Sequence, residues 1–105
     1  MNHIAAFDAL AAEHRSRLGI SWSLPDGRTL MSLHRHKNSS KGNGAVAMRE
    51  VCALADRLGV TLTLGTSVEK LKPWYVSFGF CKTKELGIGP RNCVTFFKRI
   101  PNATY

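Results

Sequence analysis

A β-prone run, a loop with two glycines and a long apolar-striped helix follow one another between residues 28 and 64. This order constrains the fold more than any other feature of the chain. Residues 43–58, NGAVAMREVCALADRL, put Ala47, Met48, Val51, Leu54, Ala55 and Leu58 on one helical face. Gly59 follows as a natural C-terminal stop. The run VTLTL, 60–64, comes directly after, and a strand from about Arg28 to Arg35 comes before. A helix tied to two strands by short connections is a β-α-β unit, so these strands are expected to lie parallel.

The rest of the chain fits around that unit. Residues 3–18 carry Ile4, Phe7, Leu10, Ala11, His14 and Leu18 at helical spacing, with Gly19 as the stop. ISWSL and RTLMSLH flank Pro25-Asp26-Gly27, which reads as a hairpin with one buried face bearing Ile20, Trp22 and Leu24. Residues 67–77 read as a short helix with Pro73 in its first turn. GFCKTKE, 79–85, and CVTFFKRI, 93–100, read as strands joined by the loop LGIGPRN, with Val94, Phe96 and Lys98 on one side and Cys93, Thr95 and Phe97 on the other. The predicted order is α-β-β-α-β-α-β-β, a mixed α+β sheet in one domain spanning 1–105.

Composition narrows the partners. Fifteen Lys and Arg against seven Asp and Glu give a formal charge of +8. Such a balance favours polyanions or phosphorylated ligands, although a basic surface without a specific partner accounts for it equally. Cys52, Cys81 and Cys93 form no CxxC pair, so a disulfide framework or zinc site is not expected, and all three read as buried or partly buried thiols. No apolar run is long enough to span a bilayer, and the first residues lack the pattern of a secretory signal. The expected compartment is the cytoplasm, and the Asn102-Ala103-Thr104 sequon is set aside on that ground. Trp22 and Trp74 read as core or pocket-wall residues. Aromatics are not interleaved with basic residues in a stacking pattern, which weakens a nucleic-acid reading. Glu50 and Asp56 read as solvated residues on the polar side of the long helix, beside Arg49, Arg57 or lysines. No arrangement suggests a metal site or a Ser-His-Asp triad.

The loop before the long helix carries the chemistry. A helix N-terminus offers free N–H groups and the positive end of a dipole, and glycines let an anion approach the backbone closely. Gly42 and Gly44, with Ser39, Ser40, Lys41, Asn43 and Ala45 around them, read as an anion cradle. A tight turn that merely starts a helix explains the same glycines. No Gly-Lys-Ser/Thr closes a P-loop here, and Ala47 stands where a dinucleotide fingerprint needs its third glycine.

SSKGNGAVAMREVCALADRLGVTLTL followed by LKPWYVSFGF resembles the GNAT superfamily of acyl-CoA N-acyltransferases over about residues 20–100. The family motif Gln/Arg-x-x-Gly-x-Gly/Ala is matched at Gly42 and Gly44, while Ser39 stands in the leading position. The second motif, Tyr-x-x-x-Gly-Phe, is matched fully by Tyr75, Gly79 and Phe80. The resemblance implies acetyl-CoA as acyl donor, with backbone amides of Ser40–Gly44 on its pyrophosphate. Leu33, His34 and Arg35 would pair through their backbone with the pantetheine arm, in a gap where strands 29–35 and 60–64 splay apart. Tyr75 would protonate the leaving thiolate, a role suited to a phenol that is neutral at pH 7. A backbone N–H of the splayed strand would stabilise the oxyanion. His34 is a candidate base for the amine, with Glu69 and Glu85 as weaker ones.

Family members are longer and begin with a strand and two helices that build much of the acceptor site. The acceptor pocket is therefore expected to be reduced, open or completed by another chain, and the last two strands could pair with a second copy. The resemblance implies an acetyl-CoA-dependent N-acetyltransferase acting on a primary amine of unknown acceptor. The alternative is a catalytically silent protein on the same fold that binds coenzyme A, nucleic acid or an acidic protein.

Overall fold

The computed structural model describes residues 3–37, 39–87 and 93–101. Most of the predicted loop 86–92 and the 102–104 sequon lie outside them. Helix α1 (His3–Arg17) is followed by β1 (Ile20–Ser23), β2 (Met31–Arg35), α2 (Asn43–Leu58) and β3 (Leu62–Thr66). A 3₁₀ turn (Glu69–Leu71) leads into α3 (Lys72–Val76), then β4 (Cys81–Gly87) and β5 (Cys93–Arg99). The element order is the expected one, in a mixed α+β fold.

Element ends are set by backbone hydrogen bonding. The Val60 N–H donates to the Ala55 carbonyl at 2.8 Å in the cap around left-handed Gly59, so β3 starts at Leu62 rather than at 60. The Gly79 and Phe80 N–H groups close back on Val76 and Tyr75 at the end of α3, which delays β4 to Cys81. In the hairpin turn, Asp26 accepts from the N–H groups of Arg28 and Thr29 at 2.9 and 2.6 Å and from the Thr29 hydroxyl at 2.7 Å. Those donors, Thr29 foremost, hold the Asp26 carboxyl at about 2.

The expected parallel ladder is not what forms. Among the described residues, β1–β2 is one antiparallel sheet and β3-β5-β4 is another. They meet at a single parallel bridge, Thr29↔Thr63, where the Thr63 N–H donates to Arg28 and the Leu30 N–H donates to Thr63, both at 2.8 Å. Beyond it β2 and β3 belong to different sheets. The β1–β2 register slips between Ser21 and Ser23, and such a bulge adds local twist to the hairpin that holds β2.

The helices share one face of the strands. Trp22 packs edge-on to Phe7 and beside His14 of α1, and Tyr75 of α3 meets Phe97 of β5. Arg99 of β5 makes a two-pronged contact with Asp56 of α2, at 2.6 and 3.0 Å. Ile20, Trp22, Leu62, Leu64, Thr95 and Phe97 are buried on that side. Glu50 and Asp56 are therefore not simply solvated: Glu50 joins Arg17 and His14 of α1, and Asp56 joins β5. The contacts they make reach across the fold, because the packing of α2 brings Arg17 of α1 to Glu50 and Arg99 of β5 to Asp56. Cys52 is buried, and burial lifts its thiol to about 11. Cys81, expected to be covered, is exposed because it lies on the outermost strand.

Candidate functional site

Where β2 leaves β3, the sheet opens into a cleft of about 530 Å³. Met31 and Leu33 form its β2 side, and Leu64, Gly65 and Thr66 form its β3 side. Tyr75 and Leu71 close one end, and Val94 and Phe96 of β5 lie across another wall. By strand alternation, the cleft is bordered by residues of both faces of the strands. Leu64 and Tyr75 belong to the helix-covered side, while Gly65, Val94 and Phe96 belong to the opposite side.

Tyr75 is 6% exposed and packed among Trp74, Phe80 and Phe97. Its hydroxyl makes no hydrogen bond among the described residues. Among the described residues no buried side-chain oxygen lacks a partner, so this hydroxyl is not sealed from solvent, and Tyr75 lines the cleft. Burial raises its pKa, which keeps the phenol protonated across the physiological range.

Gly65 is a feature that the sequence reading passed over. A Cβ there would stand 3.0 Å from Cε1 of Phe96, its cross-strand partner. The glycine lets the Phe96 ring lie over the strand beside the cleft. A glycine directly after the β-prone run 60–64 was the available signal, and the structure extends the strand through it.

The glycine loop lies at the other end of β2. Gly42 is left-handed, with φ 92°, and caps α2. The Ser39 hydroxyl and the Asn43 side-chain amide both donate to the Leu18 carbonyl, at 2.7 and 3.0 Å, and so anchor the loop to the end of α1. The Asn43 N–H is taken by Ser40 at 3.2 Å. Gly44 and Ala45 occupy the next two positions, whose N–H groups have no acceptor within a helix. A Cβ on Gly42 or Gly44 would meet nothing within 4 Å, so the ground before the helix is open. Ser40 and Lys41 are exposed beside it.

The other expected site residues divide. Leu33 lines the cleft, whereas His34 and Arg35 are exposed, opposite Ser21 and Ile20 of β1. The His34 ring lies 5.6 Å from that of His36, which is hydrogen-bonded to the Ser21 hydroxyl. Among the described residues, the cleft wall contains no histidine, carboxylate or amine. Glu69 is paired with Lys72 at 2.8 Å. Glu85 accepts from Thr95 at 3.1 Å, and hydrogen bonds from Cys93 and Thr95 hold its carboxyl below the usual range. Among the described residues no His, Cys, Asp and Glu cluster could hold a metal ion, and no helix is long and apolar enough to cross a membrane.

A scan of protein-family models gives no match to this chain, and a search of curated proteins gives no significant similarity.

Proposed function

We propose that this chain is a GNAT-type acyltransferase domain that binds acetyl-CoA and moves the acetyl group to a primary amine. The observation that carries the reading is the apolar cleft between β2 and β3, with Tyr75 in its wall and open, glycine-lined ground at the start of α2. In this reading the N–H groups of Gly44 and Ala45, with Lys41 beside them, hold the pyrophosphate. The pantetheine arm lies along Leu33, and the thioester reaches Tyr75. The amine nitrogen attacks the thioester carbon, the C–S bond breaks, and the Tyr75 hydroxyl delivers its proton to the departing sulfur. The proton lost by the amine goes to solvent and restores the phenol. Tyr75 is suited to this because burial disfavours its anion while its hydroxyl stays accessible.

A second reading, a coenzyme A binder without turnover, has its own support: among the described residues of the cleft wall, none can accept a proton from an amine at neutral pH. The two are separated by measuring thermal stability and thiol release together. At a hundred times its dissociation constant, acetyl-CoA is expected to stabilise the fold by about 2.7 kcal/mol. Thiol release on adding amines supports transfer, and stabilisation without release supports the binder. No stabilisation sinks both.

A further inference from the structure

We infer that the helix-free face of the sheet docks an acidic segment of another protein and presents a lysine of that segment to the cleft. The acceptor half of this inference rests on the acyl-transfer reading above.

The geometry supplies the approach. Helices α1, α2 and α3 all contact one face of the strands, through Trp22, Phe97 and Arg99. A nucleophile that reaches the cleft between β2 and β3 without crossing the helices therefore comes from the other face. That face carries an apolar strip: Phe96 and Val94 of β5, Leu86 of β4 at 45% exposure, and Met31 of β2 at 49%. Phe96 lines both the cleft and a second, shallow groove of about 470 Å³ that runs on toward Thr83 and Lys84. The strip is therefore continuous with the cleft mouth.

Charge selects the occupant. Lys84 is the cross-strand partner of Phe96, Lys98 lies two residues further along β5, and both are exposed. Neither has an ion-pair partner among the described residues. Glu85, the carboxylate of β4, points to the opposite face, where it accepts from Thr95. The groove floor is thus apolar and its rim cationic. A polyamine or aminoglycoside brings several positive charges to that rim and finds no carboxylate among the described residues that line the groove. A lysine flanked by Asp and Glu sets its apolar stem against Phe96 and Val94 and its acidic neighbours against Lys84 and Lys98.

The test uses the whole chain and two end-blocked peptides with a single lysine, one flanked by Asp and Glu, the other by Gly and Ser, with spermidine as a third acceptor. Fluorescence anisotropy is expected to show the acidic peptide binding at least tenfold tighter than the neutral one. That preference is expected to disappear in 0.5 M salt and in the K84E/K98E variant, whose melting curve checks that it folds. With acetyl-CoA, the acidic peptide is expected to release thiol fastest. Equal binding of the two peptides, or a preference for spermidine, overturns the inference even where acetyl-CoA stabilises the protein. Tight, Lys84- and Lys98-dependent binding without any effect of acetyl-CoA upholds the docking face and removes the acyl-transfer reading instead.

Discussion

The indole Nε1–H of Trp22 donates to Nδ1 of His14 at 2.9 Å, deep in the protein. An indole nitrogen can only donate, so Nδ1 carries no proton and His14 is held as the Nε2–H tautomer. Nε2 in turn donates to Oε1 of Glu50 at 3.0 Å, and Arg17 grips the same carboxylate at 2.9 and 3.1 Å. His14 is 0% exposed, and this relay joins α1 to β1 and α2. Trp22→Phe keeps an aromatic ring but strands Nδ1, an error worth about 1–3 kcal/mol. Urea denaturation is expected to show a loss in that range, and a loss below about 0.5 kcal/mol would mean that Nδ1 finds another donor.

Two glycines give opposite expectations. Gly44 lies inside α2 with open space where a side chain would be, so Gly44→Ala is expected to stabilise the fold by about 0.5–1 kcal/mol. The added methyl also stands where the pyrophosphate is proposed to approach, so affinity for acetyl-CoA is expected to fall. An unchanged affinity, measured by calorimetry, counts against the loop as the phosphate site. Gly65→Ala instead drives a Cβ against the Phe96 ring, and is expected to cost about 1–3 kcal/mol.

Tyr75→Phe separates packing from chemistry. The ring contacts with Phe80 and Phe97 survive the change, so melting is expected to shift little. If the hydroxyl is the general acid, kcat is expected to drop by about 10²–10⁴-fold. The buried phenol titrates above its ordinary range, so the alkaline fall in the wild-type rate is expected above about pH 10. An unaffected rate in the variant removes Tyr75 from the chemistry.

The Asp26 turn predicts an acid-sensitive part of the stability. Its folded pKa of about 2 lies below the ordinary carboxylate value, so the unfolded chain binds more protons as the solution is acidified. This contribution is complete above about pH 4 and is lost as pH falls toward 2. Asp26→Asn is expected to melt lower than wild type at pH 7, with the gap closing by pH 2. A gap that persists at pH 2 would show that the side-chain charge is not what the turn uses.

Much of the local structure was legible. The stripe from Ala47 to Leu58 and its closing Gly59 fixed α2, because helical spacing and a left-handed cap are properties of adjacent residues. Pro25-Asp26-Gly27 fixed the hairpin for the same reason. Strand starts were less legible, since Val60 and Phe80 are claimed by the caps of the preceding helices. Within the site, the open ground at Gly42 and Gly44 could be anticipated, whereas the use of Ser39 and Asn43 to hold Leu18 could not. That bond depends on where α1 ends in space.

The sequence by itself determined which segments are helices and strands, their order, and the excess of positive charge, because periodicity, turn chemistry and composition act over a few residues. Only the tertiary structure decided that β2 and β3 meet at the Thr29–Thr63 bridge and then part, that Tyr75 stands at the gap, and that Glu50 ties α2 to α1 while Asp56 ties α2 to β5. These relationships join residues far apart in the chain. They follow from twist, register and packing of whole elements, which no local pattern encodes.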